Sequence, residues 1–555
     1  MTRLNEPFIS LSFLRSAWAR DYEMFRDSEA ETSLLERLEN WARRTDLKET
    51  SAEQAFVQQF FHDTWGYYGS GQRQPEAGFT SYPKYPVPGG GEAGGTGEAD
   101  LALGWFGREG VANVPQVLCE FKGIRSRLDA PQNRKGSRRS PVKQCLDYVF
   151  NARRGLVGNE TIIPSWSIVT DMNEFRLYWF DRAPQQYLHF VIKPDDPLFT
   201  LSLLHPSDEG RFERFLFYKL FHFETLLTTA GKSTLEKLLA RQWVKEREIE
   251  NEFYREYRAF RDRLYNVLVT YNQDFHGTRG KLVRLAQRIL DRCLFVMYCE
   301  DMGEVLAFPH QLLRNFLIHV SLDEYYEPNG PDVWQRLKSL FDAMNTGGTF
   351  PPGSRINCFD GGLFEHDPDL DALFIPNHVF CERGQGQNEA SLHGAKNTLL
   401  YLAAAYNYAA KGDASDSLGL YTLGRIFEQS ITELEILEAE AEGRESLNKV
   451  NKRKRDGVYY TPERVVEKIV QESLGARLKD LKDQCRWTGD LAPNEKALNL
   501  YWDGLQTLTV LDPACGSGAF LITALRLLLD EYHSVLEQRR RFRKGIVAVE
   551  DGQLV

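Results

Sequence analysis

Glu120 and Lys122 stand two residues apart in the run Gln116-Val-Leu-Cys-Glu-Phe-Lys122, whose pattern is that of a β-strand. Strand alternation points both side chains to one face. The run Glu98-Ala-Asp-Leu-Ala-Leu-Gly-Trp105 precedes it, and an antiparallel return through Gly107–Pro115 brings the Asp100 carboxylate beside Glu120. Two carboxylates suit a hard divalent cation such as Mg²⁺, which prefers oxygen ligands. The chemistry that uses such a set is phosphodiester hydrolysis. The ion stabilises charge on phosphoryl oxygens and lowers the pKa of a bound water, and the lysine ammonium positions that nucleophile. Glu-x-Lys also arises by chance on solvated strand faces, and that reading stands beside the first.

The elements that must position these groups can be read from periodicity. Residues 10–68 read as helical, with Leu34, Leu38, Trp41, Phe56, Phe60 and Trp65 recurring at helical spacing. The stretch from Pro83 to Gly97 is rich in Gly and Pro and reads as a mobile loop. Strands are expected at Ala99–Trp105, Gln116–Lys122, Ile162–Thr170 and Glu174–Phe180, with a helix at Val142–Arg154 among them. That helix places Gln144 and Tyr148 on one face at i,i+4. Between Glu120 and Arg154 lie ten basic and three acidic residues, a local excess suited to phosphate in a chain whose net charge is −10.

In this order the elements resemble the PD-(D/E)xK nuclease domain of restriction enzymes, with Ala99-Asp100 where the family has Pro-Asp. The resemblance implies that Asp100 and Glu120 are metal ligands and that Lys122 is the catalytic lysine. Gln144 and Tyr148 would support the site near the substrate backbone, and Glu53 would be an additional acid.

A second constellation lies near the other end. Val510-Leu-Asp-Pro-Ala-Cys-Gly-Ser-Gly-Ala-Phe-Leu521 combines an apolar run, a carboxylate and a glycine turn before an apolar helix. Glycines let backbone N–H groups approach a ligand closely. The string Asp512, Pro513, Ala514, Cys515, Gly516, Ser517, Gly518 resembles motif I of the γ-type N6-adenine DNA methyltransferases. Upstream, Tyr459, Tyr460, Thr461 and Pro462 match the motif that lines the same S-adenosylmethionine pocket in that family. Thr461 and Pro462 also suit a capped helix start, and the two readings are compatible. The family's (Asn/Asp)-Pro-Pro-(Tyr/Phe) loop is missing, because the only Pro-Pro here is Pro351-Pro352, between Phe350 and Gly353. Methyl transfer to a flipped adenine needs that loop, so this chain alone is not expected to methylate DNA. The chain also ends at Val555 before a second strand with a ribose-binding acid, so the cofactor pocket is expected to be incomplete.

Between these ends the pattern is mostly helical from 205 to 440. Ile249, Phe253, Tyr257, Phe260, Leu264 and Leu268 form one apolar stripe, read as core. Glu300, Asp301 and Glu428 are expected on a solvated or salt-bridged helix face, without chemistry. The phrases Leu294–Met302, Leu373–Asn377 and Leu423–Glu428, with the two ends, resemble the single-chain Type IIG restriction–modification enzymes.

The expected fold is multidomain α/β. A PD-(D/E)xK-type nuclease domain spans 1–204, an all-α connector 205–447, and an incomplete Rossmann-like methyltransferase domain 448–555, with a strand at Thr507–Leu511. Hydrophobic residues are 42% of the 555, enough for several cores and against a disordered chain. The net charge of −10 excludes a uniformly basic coat, so contact with DNA must be local. Basic runs at Lys452–Arg455 and Arg539–Lys544 fit a linker and an open assignment respectively. The eight cysteines form no CxxC or CxxxC pair, which argues against disulfides and zinc. No apolar run reaches the length of a membrane span and no signal-peptide layout opens the chain, so a cytoplasmic location without membrane contact is expected. The expected partners are double-stranded DNA and a second chain carrying the remaining methyltransferase and target-recognition parts. The competing expectation is a DNA-binding assembly subunit of a split system without catalysis of its own. A third is an inactive defence remnant.

Overall fold

The computed structural model describes residues 7–44, 49–72, 78–91, 94–111, 113–124, 126–129, 139–156, 162–182, 184, 186–194, 201–350, 353–359, 362–408, 418, 420–443, 461, 463–486, 495–515, 518–542, 549–550 and 553–554. By contact density the chain divides into two compact units. One holds 1–242 with 463–513 and 520–555, and the other holds 243–462 with 514–519.

The first unit opens with helices α1 (Leu11–Ala17), α2 (Ala19–Phe25), α3 (Glu29–Ala42) and α4 (Glu49–Phe56), the last running into a π-helical turn over Val57–His62. Ser28 begins α3 by accepting from the Glu31 N–H, an orphan donor of the first turn, while the Glu31 carboxylate reaches back to accept from the Asp27 N–H just before the cap. A six-stranded sheet follows, ordered β1 (Phe79–Val87), β2 (Gly97–Phe106), β3 (Pro115–Phe121), β4 (Trp166–Thr170), β5 (Glu174–Trp179) and β6 (Tyr187–Val191). Neighbours are antiparallel except β3 and β4, which are parallel and joined through helix α5 (Pro141–Arg154). A parallel pair needs such a crossover, whereas antiparallel strands close with short turns. Ser140 caps α5 and Pro141 occupies its first turn.

Alternation sorts the sheet into two faces. Leu101, Leu103, Val117, Cys119, Phe121, Ile168, Phe175 and Leu177 pack with Trp41, Phe56, Phe60 and Trp65 of the opening helices, and with α6 (Asp208–Leu220), α7 (Phe223–Leu226) and the start of α8 (Thr234–Tyr271). Ala102 and Leu118 face the other way, towards Tyr148 and Val149 of α5. At roughly 1.5–3 kcal/mol per buried large apolar side chain, the first of these cores supplies most of the driving force for the unit.

The segment from Pro83 differs from expectation. Residues 83–87 belong to β1 rather than to a loop, with Pro83 opposite Leu101 and Pro86 opposite Glu98. β1 is the sheet edge, the position at which a sheet admits proline. The glycines that follow make room for a side chain. A methyl group on Gly97 would meet the Tyr148 ring at 2.6 Å and the Gly90 backbone at 2.7 Å. Gly97→Ala is therefore expected to cost about 1–3 kcal/mol through overpacking. A thermal melt checks this, and an unchanged midpoint would mean that the ring is not seated there.

In the second unit, the remainder of α8 and the helices α9 (Arg279–Met302), α10 (Leu312–Ser321) and α11 (Asp332–Thr346) surround one core containing Phe253, Tyr257, Phe260, Leu264 and Leu268, the stripe expected from periodicity. Glu300 does not lie on a solvated face. It is 2% exposed and its Oε2 accepts the Leu313 N–H at 2.6 Å, satisfying an orphan donor at the start of α10. Asp301 likewise accepts the Tyr408 N–H at 2.7 Å. The side chain of Glu428 lies outside the described ones.

Towards the other end, helices Glu463–Val470, Ala476–Gln484, Glu495–Gln506 and Ala519–Phe542 appear, and Leu478, Leu481, Leu498, Tyr501, Leu505 and Val535 form a small separate cluster. The strand expected at Thr507–Leu511 is not formed. These residues are irregular and Leu511 is 87% exposed. A buried parallel strand requires a neighbour to pair its backbone groups, and the described part of this segment offers no such neighbour. No described helix is long and apolar enough to cross a membrane, and the eight cysteines are free.

Candidate metal centre

The pairing of β2 with β3 puts Leu101 opposite Cys119, and one step further along the same register Asp100 faces Glu120. On the other flank Pro83 faces Leu101 and Tyr85 faces Ala99, so Lys84 lies across from Asp100. Three adjacent strands thus carry Lys84, Asp100 and Glu120 in one row. Lys122 follows the end of β3, and its N–H donates to the Thr170 carbonyl at 2.9 Å.

The side chains converge. Lys122 Nζ donates to Glu120 Oε1 at 2.5 Å and to the Phe121 carbonyl at 2.9 Å, with the lysine 8% and the glutamate 3% exposed. Asp100 Oδ2 accepts the Phe121 N–H at 2.7 Å, which fixes the carboxylate against the neighbouring strand. Its Oδ1 accepts from Lys84 Nζ at 2.7 Å, and the same ammonium lies 3.2 Å from Glu53 Oε1. Glu53 therefore reaches the site, but through Lys84.

Glu120 Oε2 is buried without a hydrogen-bond partner. Burial, reinforced by the charge of Asp100 and offset in part by Lys122, pushes the Glu120 carboxyl up to about 7. On α5, Gln144 donates to the Tyr148 hydroxyl at 2.8 Å, as the i,i+4 spacing predicts. Burial and then the nearby Glu120 charge push the Tyr148 hydroxyl up to about 12.

An orphaned anionic oxygen beside a second fixed carboxylate fits a hard cation, which would satisfy Oε2 and lift the repulsion that raises the Glu120 carboxyl. Among the described residues no group of three or more His, Cys, Asp or Glu could hold a metal by itself. An ion here would draw its other ligands from water and substrate, the habit of Mg²⁺ at phosphate-processing sites.

Sequence reasoning missed Lys84, because the segment carrying it read as a loop. A lysine between two prolines facing an acidic strand residue was the available signal. Much of the basic stretch expected to meet phosphate, including Arg125, Arg134, Lys135 and Arg138, lies outside the described residues, as do Lys452–Arg455. The side chains of Arg539 to Lys544 are outside them too.

Of the second constellation, Tyr459, Tyr460, Pro462 and Gly516 lie outside the described residues. Thr461 precedes the helix that starts at Glu463, Asp512 is half-buried, and Cys515 is exposed. Gly518 has φ +79° and its N–H donates to the Cys515 carbonyl at 2.7 Å, a tight turn that suits glycine. With Leu511 exposed, the described residues around Asp512 do not form the buried strand end that an S-adenosylmethionine pocket requires.

No family model matches the chain, and no solved structure does. Over 271 residues the chain is 27% identical to a protein of Methanocaldococcus jannaschii provisionally named a type II restriction enzyme and methyltransferase. The match takes in 44% of this chain and spans 21% of that relative's length. The chain is thus similar, at a coarse level, to a restriction–modification enzyme.

Proposed function

We propose that this chain is the DNA-cleaving part of a restriction–modification enzyme, a Mg²⁺-dependent nuclease of PD-(D/E)xK type. A helical connector joins it to the first elements of an N6-adenine methyltransferase. The observation that carries this reading is the convergence of Asp100, Glu120 and Lys122 at neighbouring strand ends, with one buried carboxylate oxygen left open. The similarity to the archaeal protein supports DNA as the substrate.

When bound, Mg²⁺ would supply charge neutralisation at the scissile phosphate and acidify a water. Asp100, fixed by the Phe121 N–H, and Glu120 through Oε2 would hold it. Lys122 keeps the Glu120 carboxylate in place and presents an ammonium where the attacking water must be oriented. Gln144 and Tyr148 brace the same face from α5 and would lie along the substrate backbone.

The methyl-donor part is proposed on its motifs alone, Tyr459 to Pro462 and Asp512 to Gly518. The described residues there do not wall a pocket for S-adenosylmethionine. The exposed run ending at Leu511 favours completion of that pocket by further residues, on this polypeptide or a partner chain.

Replacing Asp100 with Ala is expected to lower Mg²⁺-dependent cleavage of DNA by the assembled enzyme at least about a hundredfold, without loss of fold by circular dichroism. Undiminished cleavage would remove the nuclease assignment. Cleavage lost while DNA binding persists is the expected pattern. A wild-type protein that binds DNA and never cuts, alone or assembled, would favour the assembly subunit.

A further inference from the structure

Lys84 is unusual in two respects. Its backbone has φ +52°, a left-handed conformation that L side chains avoid, inside strand β1 and between Pro83 and Pro86. Its ammonium, at the head of a side chain 48% exposed, sits between two carboxylates, 2.7 Å from Asp100 and 3.2 Å from Glu53. Glycine would hold this backbone without strain but would bring no charge. Strained residues persist where the surrounding structure or the chemistry holds them.

We propose that the Lys84 ammonium is a resident counter-ion that must leave Asp100 when a divalent cation binds, so that this side chain sets the cation affinity of the centre. The proposal rests on the metal-centre reading above. Asp100 Oδ2 accepts the Phe121 N–H, so Oδ1, the oxygen Lys84 now holds, is the one an arriving cation would take in its place. Glu120 Oε2 is buried on the neighbouring strand without a hydrogen-bond partner, so no protein donor has to leave it.

The two lysines of the site differ in freedom. Lys122 is 8% exposed and bonded to both Glu120 and a carbonyl, so its charge has nowhere to go. Lys84 can swing its ammonium into water along a flexible stem at little desolvation cost. Once released from Asp100 it would remain within reach of Glu53, which keeps the displaced charge at the rim of the site. The exchange replaces a half-exposed monovalent pair by a divalent one, so the lysine tunes affinity without forbidding binding.

The test is the affinity of the full chain for Mn²⁺, read as free Mn²⁺ by electron paramagnetic resonance, for wild type, K84M, K84G, K84R and D100N. K84M and K84G are expected to bind about tenfold more tightly than wild type, ~1.4 kcal/mol, with K84R near wild type and D100N without binding. K84G also relieves the backbone strain, so it decides the matter if K84M fails to fold. Wild-type or weaker affinity in the neutral variants, with D100N still losing the ion, overturns the role of Lys84 and leaves the metal centre standing. Unchanged affinity in D100N overturns the metal centre and this proposal with it. A change confined to the melting temperature, with the dissociation constant fixed, marks Lys84 as structural and likewise overturns the proposal.

Discussion

Glu120→Gln and Lys122→Met are each expected to destabilise the first unit by about 3 kcal/mol, and the double variant to regain most of that loss, while all three cleave DNA at least about a thousandfold more slowly than wild type. The two side chains are 3% and 8% exposed and joined at 2.5 Å. Removing one charge of such a pair strands the other in a poorly hydrated place, which costs more than the pair itself contributes. With Gln at 120 the Lys122 ammonium keeps the Phe121 carbonyl but loses its counter-charge. With Met at 122 the carboxylate, already pushed up to about 7 by burial, takes a proton instead, so the loss in that variant grows with pH. The double variant buries neither charge. Denaturant titration of the four proteins closes a double-mutant cycle. Additive losses would show that the two groups do not act as a buried pair. Cleavage surviving in Lys122→Met would take from the nuclease reading the cation fixed beside Glu120.

The centre was legible in sequence to the extent that it depends on alternation. Two residues of separation put Glu120 and Lys122 on one face, and a short glycine-bearing return put Asp100 opposite Glu120, consequences of strand geometry alone. Gln144 and Tyr148 meet for the equivalent reason on a helix. Lys84 was not legible, because its placement depends on a proline-bearing edge strand. Local composition speaks against a strand there, and only pairing with β2 makes one. The open oxygen of Glu120 was hidden as well, since burial is a property of the assembled sheet.

Elsewhere the differences share one cause. Thr507–Leu511 has the composition of a buried strand, yet a strand is defined by its neighbour, and without one the residues stay irregular. β6 escaped notice because Tyr187–Val191 is only five residues long and gains its identity from the ladder with β5. Glu300 reads as a wet-surface residue because an acid in a helix usually lies there. Its actual place follows from the chain turning back at α10, whose first N–H groups need an acceptor. Helix periodicity is carried within a segment, which is why the stripe from Phe253 to Leu268 is legible without knowledge of its neighbours.

Glu300 also provides the clearest pH test. Burial, with the adjacent Asp301 charge adding to it, outweighs the backbone donors of Leu313 and Arg314 and pushes the carboxyl up to about 8, from 4.5 in an unperturbed chain. Between those two values the folded protein holds a proton that the unfolded chain has released, so stability falls as pH rises. The contribution is intact below 4.5 and is lost as pH passes through about 8. Across the window it amounts to roughly 5 kcal/mol, since each tenfold gain in proton affinity on folding corresponds to about 1.4 kcal/mol. Asp291, raised to about 6, and Glu120, raised to about 7, bend the curve in the same direction. The decisive quantity is therefore the difference between wild type and Glu300→Gln. The amide keeps an acceptor for the start of α10 and cannot ionise, so the variant is expected to lose the Glu300 share of the decline and to be the more stable protein at pH 9. Calorimetric midpoints from pH 5 to pH 9 measure it, and parallel curves for the two proteins would show that Glu300 is ionised in the fold throughout.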